Sequence, residues 1–512
     1  MGIDQRPGGG VIRGYSCYHG GMFSTRRLFA QSSILYFPKL LSWLVGYAAF
    51  SLIFRMRGAA EYGDMTVLGT YWGIPAMLAG DIIGTSAQRL LAESSSDEAG
   101  GLKRVFRSAW SVHFFLVLVV GLVATVLLKP LNQGVFRSPA LEQHLFLGLA
   151  IYVSTATIGF LRYALRGMQL FRATLSMDLT ESIMRNSLWI FCCFEIGHHL
   201  TLIDGRAIAG LASMVVVYGL LIFDGYGPAL QKWNPRERAD LTHQAKAFSL
   251  IFFCNYVLNN LPIIVLNRFH GAADVGLYSA LFKIVDFASA PVLTLAYVLA
   301  PVATGAKLKG EGQVNELLTK SFKLSIFFLP FIAALVICRT EIVNLFGLGG
   351  MAGAPEVMVA FCVFVFFSNL SAIFGSFADF LGYARARARL MTIFTVIYLI
   401  SSVACAMYAD VVLVAWLTTV TYSAMVVSYL WLIVRQHTAE FIRANVSFMG
   451  RVCVSFVIAA AIAAAIVPSP SSTRFEENLF MLTSKFLLFM ALTVLFAMPL
   501  TVRRHEGRLM VR

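Results

Sequence analysis

The residues of this chain with the clearest potential for chemistry are charged side chains inside long apolar stretches. An ionisable group deep in a membrane span costs at least ~2.5 to 3.5 kcal/mol, so it is expected to face other helices, a water-filled cavity or a charged partner. In such a place a cation can bind an anionic group, and a carboxylate can carry a proton. The basic candidates are Lys39, Arg185, Lys283 and Lys485, and the acidic candidates are Asp81, Asp178, Glu181 and Asp286.

These candidates differ in how far they lie from the ends of the apolar stretches. Lys39, Asp81 and Asp178 are within about two helical turns of a predicted end, where a side chain can extend to the interface. Four candidates are seven or more residues inside their spans, so they have the stronger need for a partner or a cavity: Arg185, Lys283, Asp286 and Lys485.

Two predicted spans carry opposite charges at helical spacing. In LSMDLTESIMRNSLWIF, Asp178, Glu181 and Arg185 share one helix face, because residues three and four apart are neighbours on a helix. In LYSALFKIVDFASAPVL, Lys283 and Asp286 are three residues apart. The sequence leaves two interpretations open for each set: the charges line a cavity between helices, or they neutralise one another within their own helix.

The composition predicts that the bilayer is the solvent of this chain. Hydrophobic residues make up 58% of the 512 residues, charged residues 13%, and the mean hydropathy is +0.73, whereas soluble domains are about 45 to 50% apolar. A helical span needs about 20 mostly apolar residues. The sequence therefore predicts an all-α polytopic membrane protein with about fourteen transmembrane helices, which begin near residues 34, 65, 109, 144, 175, 207, 247, 277, 324, 356, 390, 411, 452 and 478.

A repeated polar segment indicates an internal duplication. RMRGAAEYG begins at Arg55 and RFHGAADVG begins at Arg268, and each separates two apolar stretches. Six predicted spans lie between the copies, and an even number returns the chain to the same face, so we predict parallel repeats about an axis along the membrane normal. The spacing LxGxxxxR from Leu165 is matched by FxGxxxxR from Phe380 at nearly the same offset.

The distribution of basic residues predicts the orientation, because Lys and Arg accumulate in cytoplasmic loops. With the N-terminus inside, 29 of the 41 basic residues, Arg162 among them, fall in inner segments, and 8, Arg206 among them, fall in outer segments. Both termini are therefore predicted to be cytoplasmic. The predicted domains are a disordered cytoplasmic tail (1–33), an N-terminal six-helix bundle (34–246), a C-terminal six-helix bundle (247–434), two extra transmembrane helices (435–502) and a cytoplasmic tail (503–512).

Several classes of function are disfavoured by what the sequence contains. The net charge of +14 is explained by topology and by attraction to anionic membrane lipids, so no nucleic acid partner is predicted. Eight cysteines without a CxxC pair predict no disulfide or metal framework, and His198 and His199 are interpreted as interfacial. Without a GxxxxGK(S/T) phosphate loop or a long inner loop, we predict neither a cofactor nor an enzymatic activity.

A series of weak motifs in one order carries a family resemblance. The motifs are GAAEYG, GAADVGLYSA, LAPVATGAKLKGEG, RTEIVNLFG and FLGYARARA. In them the chain resembles the polysaccharide-transport branch, the Wzx-type flippases, of the multidrug/oligosaccharidyl-lipid/polysaccharide (MOP) exporter superfamily, over nearly its whole length. The resemblance implies two MATE-like six-helix bundles around a central cavity, with two further C-terminal helices.

The resemblance also implies a function and a site. It implies export of a polyprenyl-pyrophosphate-linked oligosaccharide across the bacterial inner membrane by alternating access, coupled to an H⁺ or Na⁺ gradient, with other polysaccharide-assembly proteins as partners. The implied cavity cations are Arg185 and Lys283, with Lys39 and Lys485 as further substrate-binding candidates. The implied ion-coupling carboxylate is Asp286, with Glu181, Asp178 and Asp81 as further candidates.

Two other functions stay open at this point. The first is an ion-coupled drug or organic-cation antiporter of the same fold, although such relatives typically stop at twelve spans and favour acidic cavities. The second is an assembly scaffold for a glycan-export complex, whose sign would be an appended soluble domain.

The predicted orientation can be tested with reporter fusions in the loops. Fusions after Arg238 and after Arg387 are expected to report the cytoplasm, and a fusion after Gly271 is expected to report the outside, because basic residues are retained on the inner face. The inverted pattern at these three sites would contradict the predicted topology.

Overall fold

The computed structural model describes most of the chain as helices. The described residues are 44–94, 99–168, 170–194, 200–223, 235–286, 329–381, 384–408, 410–436 and 477–489, two short strands near the C-terminus, and a few single positions between these ranges. The predicted tail at 1–33, the candidate Lys39 and most of the span predicted to begin near residue 452 lie outside them.

The N-terminal part of the chain consists of long apolar helices joined by short connections. Two five-residue π-helical segments, Met77–Asp81 and Asn132–Phe136, follow α2 and α4. The helices are α1 (Leu44–Met56), α2 (Gly58–Ala76), α3 (Ile82–Ser94), α4 (Ala99–Leu131), α5 (Pro139–Gln143), α6 (Leu145–Gly167), α7 (Phe171–Cys193) and α8 (Leu202–Phe223).

The C-terminal part continues the pattern. Its helices are α9 (Pro235–Phe269), α10 (Ala272–Asp286), α11 (Leu329–Ile337), α12 (Arg339–Leu345), α13 (Ala354–Leu381), α14 (Ala384–Tyr408), α15 (Val411–Gln436) and α16 (477–489). Residues Val502–His505 (β1) and Arg508–Val511 (β2) form an antiparallel hairpin.

The hairpin is a small departure from the predicted all-α class. Val502 pairs with Val511 and His505 with Arg508, and Glu506 and Gly507 separate the two strands in the sequence. The ten-residue tail predicted at 503–512 therefore contains regular structure.

Seven helices of the described part are long and apolar enough to cross a membrane. They are Gly101–Phe136, Leu145–Gly167, Leu202–Gly219, Phe248–Phe269, Ala354–Gly375, Arg385–Tyr408 and Val411–Trp431. On α4, the side chains of Leu118, Leu122 and Val126 are 58%, 68% and 69% exposed at a spacing of four residues. Such a stripe of large apolar side chains is favourable against lipid tails, so it identifies the bilayer as the solvent of this face.

The two copies of the repeated segment pack against each other. Gly58 and Gly271, at the starts of α2 and α10, have φ values of +84° and +101°, a left-handed conformation that favours glycine. A Cβ atom on Gly63 would overlap the carbonyl oxygen of Ala272, and a Cβ atom on Gly276 would overlap that of Ala59. The contact is reciprocal, since each residue of one copy meets the partner position of the other, as a two-fold relation requires.

Hydrogen bonds between the halves follow the same reciprocity. The Tyr47 hydroxyl on α1 donates to the carbonyl oxygen of Ile284 on α10 at 2.8 Å. In the opposite direction, the Tyr256 hydroxyl on α9 donates to the carbonyl oxygen of Thr70 on α2. The first helix of each half therefore bonds to the second helix of the other half.

The reciprocal glycine contact predicts how two alanine substitutions affect stability. Gly63→Ala and Gly276→Ala should each lower the free energy of unfolding by about 1 to 3 kcal/mol, because the added methyl group overlaps a backbone carbonyl that cannot move aside freely. The two effects should be similar, since the sites are equivalent. Thermal unfolding of the purified protein in detergent measures them.

Gly219 provides a matched control for these variants. It lies on the exposed side of α8 with no atom within 4 Å of an added Cβ, so Gly219→Ala should be neutral or stabilising by up to about 1 kcal/mol. If Gly63→Ala behaves like Gly219→Ala, the close contact between α2 and α10 is wrong.

Candidate functional site: an ionic cluster in the N-terminal half

The polar face predicted on α7 is present. Nη1 of Arg185 lies 2.6 Å from Oε1 of Glu181, and the two side chains are 30% and 24% exposed. This ion pair joins residues four apart on one helix, as their spacing predicts. Partial exposure leaves both groups accessible, so the pair neither rules out a cavity role nor requires one.

The neighbouring helix α6 contributes an arginine that the sequence analysis missed. Nε of Arg162 lies 2.9 Å from Oδ1 of Asp178, and Nη2 lies 3.8 Å from Oε2 of Glu181. Arg162 had been grouped with the basic residues of an inner loop, where its charge seemed to need no partner. Its position makes Glu181 the centre of a cluster with an arginine on each side.

Asp81 approaches this cluster from the π-helical segment after α2. A Cβ atom on Gly159 of α6 would lie 2.5 Å from Oδ1 of Asp81, so the absence of a side chain at Gly159 makes room for the carboxylate. Asp81 is within electrostatic range of Arg162. Single π-turns inside α-helices are rare and occur frequently at functional sites, and this one turns Asp81 towards α6.

The same π-helical segment is supported from α4. Nδ1 of His113 lies 2.8 Å from the carbonyl oxygen of Ala79, and the His113 ring stacks on Phe160 with centroids 4.6 Å apart. His113 is buried. Its imidazole therefore satisfies a backbone carbonyl of the π-turn that Asp81 ends.

Arg206 on α8 is the second arginine that the sequence analysis missed. Its backbone is close to the predicted outer end of a span, which is why it had been assigned to an outside segment. The side chain extends to α2, where a Cβ atom on Gly69 would lie 2.8 Å from Cζ of Arg206. Arg206 is within electrostatic range of Arg185 and Glu181, so it belongs to the cluster.

The structure does not join the second predicted pair, Lys283 and Asp286, by an ion pair within 4.0 Å among the described residues. Lys283 on α10 is exposed, and Asp286, the last residue of that helix, is partly exposed. Both side chains lie on the helix whose Ile284 carbonyl accepts the Tyr47 hydroxyl. Their roles in the cavity and in ion coupling stay predictions.

Lys485 has a different environment from the one expected for a cavity cation. It is 3% exposed and forms an ion pair with Glu341 of α12, which is fully buried. Beside this pair, the Asn344 side chain donates to Oδ1 of Asn478 at 3.3 Å. The Glu341 carboxylate neutralises the charge of Lys485, so the ion pair links α16 to α12. We therefore leave Lys485 out of the proposed site.

The ionic cluster has no counterpart on the corresponding helix of the other half. Between Leu390 and Tyr408, α14 contains no charged residue, and Ile393 and Ile400 are 55% and 68% exposed. The fold is duplicated, but the charges are confined to the N-terminal copy. Among the described residues, no group of three or more His, Cys, Asp or Glu side chains is arranged to hold a metal ion.

Solved structures with a similar fold are membrane transporters. "Lipid II flippase MurJ, inward closed conformation" has a TM-score of 0.69 at 12% identity, covering 91% of this chain and 99% of that chain. An inward-facing multidrug resistance MATE family transporter of the MOP superfamily has a TM-score of 0.60 at 16% identity, covering 76% and 93%. A MOP superfamily transporter from Pyrococcus furiosus has a TM-score of 0.54 at 16% identity, covering 79% and 94%.

These similarities define the class of the protein: it is a multi-pass membrane protein with the MOP superfamily fold, as predicted. A family model described as "Polysaccharide biosynthesis protein" matches residues 28–306, which is more than half of the chain. The chain belongs to this family. No curated protein matches it.

The buried pair between α12 and α16 predicts a non-additive effect on stability. Lys485→Met should lower the free energy of unfolding by about 3 to 5 kcal/mol, because it leaves the Glu341 carboxylate buried without its cation. Combining it with Glu341→Leu should restore most of that loss, since well-packed apolar residues often replace a buried ion pair at little cost. Thermal unfolding of the four proteins of this double-mutant cycle measures the coupling.

Lys129→Met is the control, since Lys129 is exposed at the end of α4 and its loss should change stability little. Equal and additive losses for the two single variants would contradict the structural role of Lys485.

Proposed function

We propose that this protein is a flippase that moves a polyprenyl-pyrophosphate-linked oligosaccharide from the inner to the outer leaflet of the bacterial cytoplasmic membrane. The observation that carries the proposal is the cluster of Arg162, Arg185 and Arg206 with acidic partners inside the N-terminal half of a polysaccharide-biosynthesis family chain. Burying such charges is costly, and charged residues within membrane spans usually mark a substrate or ion pathway.

The chemistry of such a substrate matches the cluster. A pyrophosphate and a sugar head cannot cross hydrocarbon unaided, whereas guanidinium groups offer planar, paired donors that suit phosphate oxygens. Carboxylate and hydroxyl groups nearby can accept and donate hydrogen bonds to sugar hydroxyl groups. The polyprenyl chain can stay in the surrounding lipid while the head passes between the two halves.

We assign Arg185 and Lys283 to the cavity between the halves. Arg185 retains partial exposure although it is paired with Glu181, and Lys283 is exposed on α10 of the other half. Two cations from opposite halves can bind one anionic head group together, and they move apart when one half rotates against the other. Such movement around a central site is the basis of alternating access.

We assign the coupling of export to an ion gradient to the carboxylates. In the cluster, Asp81, Asp178 and Glu181 balance three guanidinium groups, so the gain of a proton or Na⁺ at one carboxylate would leave a net positive charge that attracts the anionic substrate. Asp81 is the first candidate because its carboxylate lies at the π-turn and is only partly buried; Asp286 is a candidate on α10.

The antiporter of drugs or organic cations is the second candidate function. The arginines of the cluster argue against it, since guanidinium groups offer hydrogen-bond donors to an anion and repel a cationic substrate. The family match also favours a role in polysaccharide biosynthesis. We expect other proteins of polysaccharide assembly to work with this flippase at the inner membrane, with both termini in the cytoplasm.

The cavity role of the two cations can be tested with charge-neutral variants. Arg185→Gln and Lys283→Gln should each lower surface glycan by about tenfold or more, because a hydrogen bond to a charged group contributes about 1.5 to 3 kcal/mol. Arg185→Lys should retain part of the activity, since it keeps the charge without the guanidinium fork. Surface glycan is measured together with the amount of protein in the membrane.

The contacts of Glu181 and Arg339 provide controls for this experiment. Glu181 keeps Arg162 as a partner when Arg185 is replaced, so Arg185→Gln should leave protein abundance normal. Arg339→Gln is a matched control, because Arg339 is exposed and donates to the carbonyl oxygen of Val336. If Glu181→Gln combined with Arg185→Gln exports glycan at the normal level, Arg185 serves only to neutralise Glu181.

A further inference from the structure

The guanidinium group of Arg206 lies between helices of the N-terminal half. Arg206 follows the start of α8 by one turn, and its side chain extends to α2 at Gly69. Gly69 is eleven residues beyond Gly58, the first residue of α2, so the guanidinium group meets α2 about three turns, or about 16 Å, along that helix.

Arg206 differs from the other two arginines of the cluster in its partners. Arg162 and Arg185 each have a carboxylate within 4.0 Å. In the described part of the chain, no hydrogen bond or ion pair engages the Arg206 guanidinium. The charged groups in its range are Glu181, which already pairs with both other arginines, and Arg185, which repels it.

The surroundings of Arg206 make room for the guanidinium group and leave it accessible. A side chain at Gly69 would overlap it, so the glycine provides its space, and the Arg206 side chain is partly exposed. Tyr62 of α2 and Tyr256 of α9 are within electrostatic range. A partly exposed cation without a carboxylate within 4.0 Å is equipped to receive an anion by ionic and hydrogen bonds from its guanidinium group.

The position is also shared by the two halves. Tyr256 belongs to the first helix of the C-terminal half, and its hydroxyl donates to the carbonyl oxygen of Thr70, next to Gly69. A Cβ atom on Gly73, one turn further along α2, would lie 2.5 Å from the Tyr256 hydroxyl. Any rocking of one half against the other therefore changes the walls around Arg206.

We propose that Arg206, in the space left by Gly69, is the primary contact for a phosphoryl group of the lipid-linked substrate. The proposal rests on the proposed flippase function and names the residue on which the head group is held. Arg185 is within electrostatic range of Arg206, and we assign it as the second cation for a pyrophosphate. Because Tyr256 comes from the other half, the phosphoryl group is released when the halves separate.

The test is a binding measurement with the full chain in phosphatidylcholine nanodiscs. Farnesyl pyrophosphate is the probe, and farnesol is the control without phosphate. Inorganic pyrophosphate tests for binding of a free phosphate. Discs that contain phosphatidylglycerol test for binding of a lipid headgroup. Arg206→Gln should weaken binding of farnesyl pyrophosphate by about tenfold or more, and Gly69→Ala should weaken it by displacing the guanidinium group. Arg206→Lys should bind with intermediate affinity.

Thermal unfolding separates this role from a structural one. Since Arg206 lacks a carboxylate partner in the described part of the chain, Arg206→Gln removes an uncompensated charge and should unfold at the same or a higher temperature than the parent protein. Loss of binding together with unchanged or increased stability supports the proposal. Reduced stability with unchanged binding overturns it, because the arginine would then serve folding.

The remaining outcomes are distinguishable from failure of the proposed function. Normal binding of farnesyl pyrophosphate by Arg206→Gln, with glycan export lost in Arg185→Gln, overturns the assignment of Arg206 and keeps the flippase. Binding that depends on Arg206, with surface glycan unchanged in Arg206→Gln cells, keeps the anion site but contradicts the proposed function. Dependence on Arg206 only in discs with phosphatidylglycerol overturns the substrate contact in favour of a lipid headgroup.

Discussion

The cost of placing charge in hydrocarbon is the constraint on which the rest of this structure depends. Outside the charged positions, the helices can face lipid with ordinary apolar side chains, as the stripe of Leu118, Leu122 and Val126 does. Where charge is present, it must be matched by another charge, a dipole or a ligand. The structure matches Lys485 with Glu341 and Arg162 with Asp178, and we propose that a ligand matches the charge of Arg206.

The duplicated fold determines where the charged side chains lie relative to the contact between the two halves. The two copies of the repeated segment meet through glycines at the starts of α2 and α10, so their backbones approach closely without side chains between them. The charges were not duplicated with the fold, since α14 is apolar where α7 carries Asp178, Glu181 and Arg185. An asymmetric pair of bundles is suited to a cargo with one charged end, because most contacts to the head group can come from the N-terminal half while the other half moves.

Part of this arrangement could be predicted from the sequence. Hydropathy predicted the helical class, and a spacing of four residues predicted the contact of Arg185 with Glu181, because both signals are local to one helix. The repeated GAA(D/E)xG segment predicted the duplication, but it did not indicate that the two copies touch. The C-terminal hairpin was not predicted, since the surrounding apolar spans dominated the interpretation.

Contacts between helices could not be predicted from the sequence. The pairing of Arg162 with Asp178 depends on which face of α6 packs against α7, and a single sequence does not indicate which face that is. Arg206 was not among the predicted candidates because its backbone lies near the end of a predicted span, whereas its long side chain extends to Gly69. Lys485 was judged a cavity cation from its depth alone, because its partner Glu341 is 144 residues away in the sequence.

The most direct test of the account is transport by the purified protein in liposomes. A polyprenyl-pyrophosphate-linked oligosaccharide is placed in the bilayer, and the fraction of its glycan that a membrane-impermeant oxidant can modify is followed with time, beside exchange of an organic cation such as ethidium. The account predicts that the protein exposes the inner-leaflet glycan far faster than protein-free liposomes do, and that it leaves ethidium untransported. Ethidium exchange without any movement of the lipid-linked glycan would contradict it.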